Sequence, residues 1–300
     1  ENIVRVCFLI ILTFGGFFSY LIEIIFLNSW LQYNKFTLSF LPFLFSATLT
    51  ILFVFFLSSL IEFPFSLYKQ FVIEKKFGFN RMNFKTFFAD LLKQILLGLL
   101  IGIPVILIVL LIISSRDSLG SLWWFFLWSF FTILSLTFVL IFPSLIAPLF
   151  NKFSPLEEGK LKSKLDSLLK KCDFSAKGLF LMDGSKRSSH GNAFFAGFGK
   201  SRRIVLFDTL VEKLSEDEIK AVLAHELGHY KCGHVPTRLA ISLTSSFIFF
   251  VLFGLLIDYE TFYLGVGINQ NVVSLISDTV FYDATFFILF FFILQFITFP

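Results

Sequence analysis

Residues Gln94 to Ile113 read QILLGLLIGIPVILIVLLII, with no charged side chain anywhere in the run. At a rise of 1.5 Å per residue a helix of this length covers about 30 Å, the hydrocarbon thickness of a bilayer. The run is continuous rather than alternating, so it predicts a spanning helix and not a barrel strand. Five more runs of the same kind lie on either side of it, approximately at Ile3–Leu27, Thr37–Ile61, Ser121–Phe150, Thr237–Leu256 and Val272–Thr298. Hydrophobic residues make up 56% of the 300 and charged residues 15%, against about a quarter charged in a soluble domain. The expected fold class is a mainly α membrane protein: a multi-span transmembrane helical bundle, six spans visible, with one small α+β insert.

The expected organisation is a transmembrane region of four spans over 1–150, a polar domain over 151–236, and two further spans over 237–300. Lysine and arginine set the orientation. The segment after the second span carries Lys69, Lys75, Lys76, Arg81 and Lys85, and the insert carries Lys152, Lys160, Lys162, Lys164, Lys170 and Lys171. With six spans these two segments fall on one side of the membrane. The segments near Lys35 and Arg116 fall on the other, with Asp258–Asn271, which has no Lys or Arg. The positive-inside rule then makes the insert cytosolic.

Within the insert, Ser154, Pro155 and Glu157 read as an N-cap, a first-turn proline and a capping-box acid. They open a helix with Leu161, Leu165, Leu168 and Cys172 on one stripe. Gly178–Met182, Asn192–Phe198 and Arg203–Phe207 read as strands. Ser215 and Glu218 form a second capping box, opening a helix over Glu216–Lys231.

That helix contains His225-Glu226-Leu227-Gly228-His229. Positions i and i+4 share a helix face, so His225 and His229 can point two imidazoles at one ion. Zinc accepts such nitrogens and leaves room for water. Glu226 then stands beside the water, where a carboxylate can act as catalytic base. His234 is one position short of the third histidine of the extended metzincin pattern, which would fall on Val235, and Cys232 stands where that pattern has glycine. It is therefore read as a surface or cavity histidine.

No disulfide framework or Cys-x-x-Cys metal pattern arises from Cys7, Cys172 and Cys232, and no basic tract interleaved with exposed aromatics suggests nucleic-acid binding. Glu23, Asp278 and Asp283 are ionisable groups within apolar runs; such groups normally face a bundle interior or a cavity, and the alternative is that the spans end short of them and they lie near an interface. Lys186, Arg187, Arg202 and Arg203 flank the Asn192 strand as a basic surface, with a substrate carboxylate or anionic headgroups as the functional alternative. A transporter or channel with a regulatory insert would account for the intramembrane acids but not for the capped His-Glu-x-x-His helix. A catalytically inactive scaffold of the same build is the third reading.

Six blocks, in order, resemble the CAAX prenyl protease family of integral-membrane zinc metallopeptidases. They are Pro64–Tyr68, Phe71–Asn80, Ile146–Phe153, Gly184–Phe194, Arg203–Leu210 and Val222–His229. The resemblance implies a zinc-dependent endopeptidase acting on prenylated CAAX-type or other membrane-associated proteins. It implies one zinc per chain, with the bilayer and the substrate protein as partners. It also implies seven spans around a water-filled chamber, and Asn192, Ala193 and Phe194 as the edge strand that holds substrate. A glutamate after the last span would be the third zinc ligand. With Glu1 rather than Met at the start, and an apolar run directly before Pro300, both ends are expected to be cut from a longer protein. The seventh span would then precede Glu1, the third ligand would follow Pro300, and the 300-residue chain alone would hold zinc weakly.

Overall fold

The computed structural model describes residues 40–174, 176–196, 202–265 and 267–276, together with positions 7, 16, 19, 20, 23, 24, 285, 287 and 288. The expected span Ile3–Leu27 and most of Val272–Thr298 lie outside these residues, as do Asp278 and Asp283. Among the described residues, four helical stretches are long and apolar enough to cross a bilayer: Leu44–Lys76, Phe84–Ser114, Arg116–Phe150 and His234–Leu256. They correspond to the second, third, fourth and fifth expected spans. Their outer surfaces carry Phe45, Phe56, Leu100, Ile133, Ile241 and Leu255, each at least 60% exposed. Apolar exposure of this extent suits lipid rather than water.

Helix α1 is Phe40–Tyr68 and α2 is Phe84–Ser114; α3 is Trp123–Ile141. Five-residue π-turns extend α1 over Lys69–Ile73 and α3 over Phe142–Ile146, the second containing Pro143. The insert follows. Strand β1 is Phe153–Pro155, helix α4 Lys160–Lys171, β2 Leu179–Met182, β3 Ala193–Ala196 and β4 Arg203–Phe207. Helices α5 (Asp208–Lys213), α6 (Glu216–Lys231) and α7 (His234–Leu256) complete the segment.

The chain forms two compact units. The first takes in residues 1–66, 94–129 and 246–300, the second residues 67–93 and 130–245. In the first, Trp124 and Trp128 of α3 meet Phe247 of α7 edge-on at 5.5 and 5.2 Å. Gly254 makes this approach possible: a Cβ there would stand 2.8 Å from the Trp124 ring. The Trp128 indole N–H donates to Ser246 Oγ at 3.2 Å. The Arg116 guanidinium lies 3.6 Å from the Asp258 carboxylate. The segments that follow α2 and α7 therefore meet.

In the second unit the sheet order is β1-β2-β4-β3. The outer strands pair antiparallel with their neighbours, and β2 and β4 run parallel. Leu179, Ile204 and Leu206 from the sheet, Leu165 and Leu169 from α4, and Ile219, Leu223 and Leu227 from α6 share one core. The positively charged segment after α1 packs on the insert. Asn80 forms a bridge with Ser188, the Ser189 N–H donates to the Phe79 carbonyl at 2.9 Å, and the Arg81 N–H to the Arg187 carbonyl at 3.1 Å. These two segments therefore pack against each other within one unit.

One local reading is corrected. Ser154 and Pro155 do not cap a helix; they belong to β1, with Ser154 paired to Leu181 and Pro155 to Phe180. An outer strand tolerates proline, because its missing N–H need not face a partner. The Lys152 N–H is received by the Asp183 carboxylate at 2.7 Å, which locks the strand's entry. Helix α4 starts after Gly159 instead, with Lys162 paired to Glu158.

Candidate metal centre

Helix α6 is set by its own first and last turns. Ser215 Oγ accepts the Glu218 N–H while the Glu218 carboxylate accepts the Ser215 N–H at 2.8 Å, a reciprocal capping box. At the other end Gly233, at φ 69°, takes the left-handed conformation that closes a helix. Ile219, Leu223 and Leu227 recur every four residues and face the core. His225 and His229 lie two positions further round, on the opposite face, His225 exposed and His229 half-buried. Glu226 is half-buried between the two faces.

The two histidine Nε2 atoms are 3.1 Å apart. An ion about 2.0–2.1 Å from each would subtend about 100° between them, close to the tetrahedral angle of a zinc site. The pair fits a zinc ion as two of its ligands. Among the described residues no group of three His, Cys, Asp or Glu side chains forms a metal site. His234 lies against the other side of His229, Nδ1 to Nδ1 at 2.6 Å. His234 does not stand at the third-histidine position of the extended pattern, and it touches the nitrogen of His229 that faces away from His225. The contact arises from the Gly233 turn between α6 and α7, which no local sequence spacing specifies.

The segment leading to β3 is tightly held. Asp208 accepts from the Ser185 N–H at 2.8 Å and from the Ser185 hydroxyl. The Thr209 hydroxyl donates to the His190 carbonyl at 2.8 Å, and Lys213 to the Ser189 carbonyl. A Cβ on Gly191 would stand 3.2 Å from the Leu210 Cα, so the two backbones approach closely here.

Strand β3 is an edge of the sheet, and its side-chain partners are distinct. Ala193 is buried in the core that also holds Leu223 and Leu227, and Phe194 meets the Phe207 ring edge-on at 6.2 Å. The Phe207 N–H donates to the Asn192 carbonyl at 3.0 Å. Antiparallel alternation then turns the N–H and C=O groups of Ala193 and Phe195 away from β4, to the open edge. The Ala193 N–H is meanwhile held by the Asn192 side-chain oxygen at 2.8 Å. Expected strand residues 197 and 198 lie outside the described residues.

Three of the flanking basic residues, Arg187, Arg202 and Arg203, have partners within the fold. Arg187 makes a two-pronged ion pair with Asp90 of α2, at 2.7 and 2.9 Å, and donates to the Asn151 side-chain oxygen at 2.8 Å. Arg202 stacks over Tyr230 of α6 at 4.5 Å and Phe174 at 5.5 Å, and Arg203 over Phe180 at 5.3 Å. Neither Asp90 nor Tyr230 carries a sequence signal that would have announced these roles. His190 stacks on Phe79 at 4.1 Å and meets Glu74 at 3.2 Å. The three cysteines are free, Cys7 and Cys232 exposed and Cys172 packed against the core rim. Glu23 is an exposed helical residue.

Apolar helices of bilayer length, a mixed sheet and a capped His-Glu-x-x-His helix beside the sheet's open edge define a membrane-embedded protein of metallopeptidase architecture. A profile of the CAAX prenyl protease N-terminal region, with five membrane helices, matches residues 1–152, and one of peptidase family M48 matches residues 155–292. The chain belongs to the CAAX prenyl protease family of M48 peptidases, a metal-dependent family of integral membrane proteins. Among its relatives are the CAAX prenyl protease 1 homolog of Oryza sativa subsp. japonica, 45% identical over 66% of this chain and 45% of that protein, and CAAX prenyl protease 1 of Saccharomyces cerevisiae, 42% identical over 70% and 46%. The crystal structure of S. mikatae Ste24p superposes with a TM-score of 0.74 at 32% identity, covering 90% of this chain and 64% of that one. The chain spans about half the length of the curated relatives it matches.

Proposed function

We propose that the intact protein is a zinc-dependent membrane endopeptidase, with His225 and His229 as metal ligands and Glu226 as catalytic base. One observation carries this reading: the 3.1 Å approach of the two Nε2 atoms, on the helix that packs against the open-edged strand. When bound, zinc supplies Lewis acidity and makes water a stronger nucleophile at neutral pH. A catalytic zinc normally has three protein ligands, and a glutamate beyond Pro300 is the third in this proposal.

The chain's own residues divide the remaining work. Ala193 and Phe195 offer backbone groups at an open edge, where an extended peptide can add as a strand with little demand on its side chains. Asn192, Ala193 and Phe194 are the substrate-holding residues. The Asn192 side chain occupies the Ala193 N–H until a substrate carbonyl replaces it. Glu226 takes a proton from the water as its oxygen bonds to the scissile carbonyl carbon. It returns that proton to the amine nitrogen as the C–N bond breaks. The products are a carboxylic acid and an amine, which ionise to carboxylate and ammonium in water.

The relatives carry the name CAAX prenyl protease 1, and prenylated CAAX-type proteins are the proposed substrate class. The domain boundaries proposed are 1–150, 151–236 and 237–300. The proposed location of the insert is the cytosol, and the lysines and arginines of the insert and of the segment after α1 support it. The test is metal analysis of the intact protein together with cleavage of a CAAX peptide, prenylated or bare. Stoichiometric zinc and faster cleavage of the prenylated peptide are expected. A zinc-reconstituted protein that cleaves neither peptide would refute the proposal, and ion flux through it in liposomes would favour a transporter instead.

A further inference from the structure

We propose that His234 is a positioning residue of this metal centre, holding the His229 ring with its Nε2 toward the ion. The inference rests on the reading of His225 and His229 as ligands. A ligating imidazole binds metal through a nitrogen that carries no proton, so the other nitrogen of the neutral ring carries it. For His229 the inner nitrogen is Nε2, 3.1 Å from Nε2 of His225. Its Nδ1 therefore bears the proton, and the atom facing it at 2.6 Å is Nδ1 of His234. That atom must accept, so His234 is the tautomer protonated at Nε2. The two rings are inclined at 53° with centroids 4.9 Å apart, a donor–acceptor arrangement rather than a flat stack.

His234 is not a ligand in this geometry. Its contact is to the far side of the His229 ring, and among the described residues no three-residue metal group forms. Metal-ligating histidines commonly direct the second ring nitrogen to an acceptor, which selects the tautomer and orients the ring. That acceptor is usually a carboxylate or carbonyl; here it is another imidazole. The backbone explains its placement. Helix α6 ends at Lys231, Cys232 donates its N–H to the Gly228 carbonyl at 2.9 Å, and Gly233 reverses the path at φ 69°. His234 is then the first residue of α7, so the start of a spanning helix is attached to the orientation of a ligand on α6.

The experiment measures zinc affinity of the intact protein by chelator competition at fixed pH. It compares wild type with His234→Ala, His234→Asn and His225→Ala, and adds cobalt(II) absorption spectra and metal-free thermal unfolding. Loss of such an acceptor typically weakens metal binding by about 10–100-fold. That loss is expected for His234→Ala, with cobalt bands of unchanged shape and an unchanged metal-free melting temperature. His234→Asn, whose side-chain oxygen takes the place of Nδ1, should recover most of the affinity. Unchanged affinity in His234→Ala overturns the proposal. So does a loss as deep as that of His225→Ala with altered cobalt bands, which would make His234 a ligand. A parallel drop in metal-free stability in both His234 variants overturns it too, by making the role structural. A wild-type protein that binds no zinc refutes instead the metal-centre reading beneath it.

Discussion

At the scale of single residues, the His225–His229 spacing and the neighbouring Glu226 are legible because they depend only on helix geometry. Two side chains four positions apart share a face whatever the rest of the protein does. The role of Glu226 makes a direct prediction. Glu226→Gln keeps size and hydrogen-bonding capacity but cannot take a proton, so turnover should fall by about 10²–10⁴-fold. Zinc content should not change, since the residue is not a ligand in this reading. Cleavage assays paired with metal analysis check both halves, and wild-type turnover would remove Glu226 from the mechanism. His234 and Arg187 show the opposite case. Nothing in the local pattern says that one meets His229 or that the other is committed to Asp90, 97 residues away.

Helix α6 is the element whose limits were most fully readable, since a reciprocal cap and an apolar stripe are both local signals. The Glu218 carboxyl is held below the usual glutamate range, first by the Ser215 backbone N–H and then by the Ser215 hydroxyl. A carboxyl whose folded pKa is lowered stabilises the fold above its unfolded value, here 4.5, and the benefit disappears as pH falls through the lower folded value. The first turn of α6 should therefore fray on acidification below about pH 4.5. Glu218→Gln should flatten that pH dependence, as read by hydrogen exchange of the first-turn amides. Ser215→Ala should cost about 1 kcal/mol at neutral pH, visible as faster exchange along α6. Unaltered exchange in Ser215→Ala would mean that packing alone holds the helix start. The strand β1 was not readable in this way. Its sequence, Phe153-Ser154-Pro155, carries a helix-start signal, and pairing with β2 overrides it.

On the scale of the whole molecule, the Asp90–Arg187–Asn151 contact ties the insert to α2 and to the end of the α3 segment. The Asp90 and Arg187 side chains are 9% and 18% exposed. Removing one partner of so sheltered a pair leaves a charge without its counter-ion. Asp90→Ala should lower stability by about 3 kcal/mol. The double variant Asp90→Leu with Arg187→Met, which removes both charges, should recover a good part of it. Thermal unfolding decides, and a single variant as stable as wild type would show the pair to be dispensable. The topology makes a second prediction. In a background with Cys7, Cys172 and Cys232 replaced, cysteines at Lys164 and at Gln270 should be labelled by impermeant reagent from opposite sides of the membrane. Labelling from the same side would overturn the cytosolic placement of the insert.

The sequence by itself determined the membrane class, the spans it shares with the described helices, the α6 helix with its cap, and the candidate ligand pair. Each follows from apolar runs or from neighbours within four positions along the chain. Only the tertiary structure decided that β3 is, among the described residues, an edge with its backbone open, that Arg187 is bound to Asp90, and that His234 rests on His229. The first two depend on segments distant in sequence coming together. The third depends on a glycine turn whose direction follows from its positive φ, a backbone property that residue type permits but does not specify.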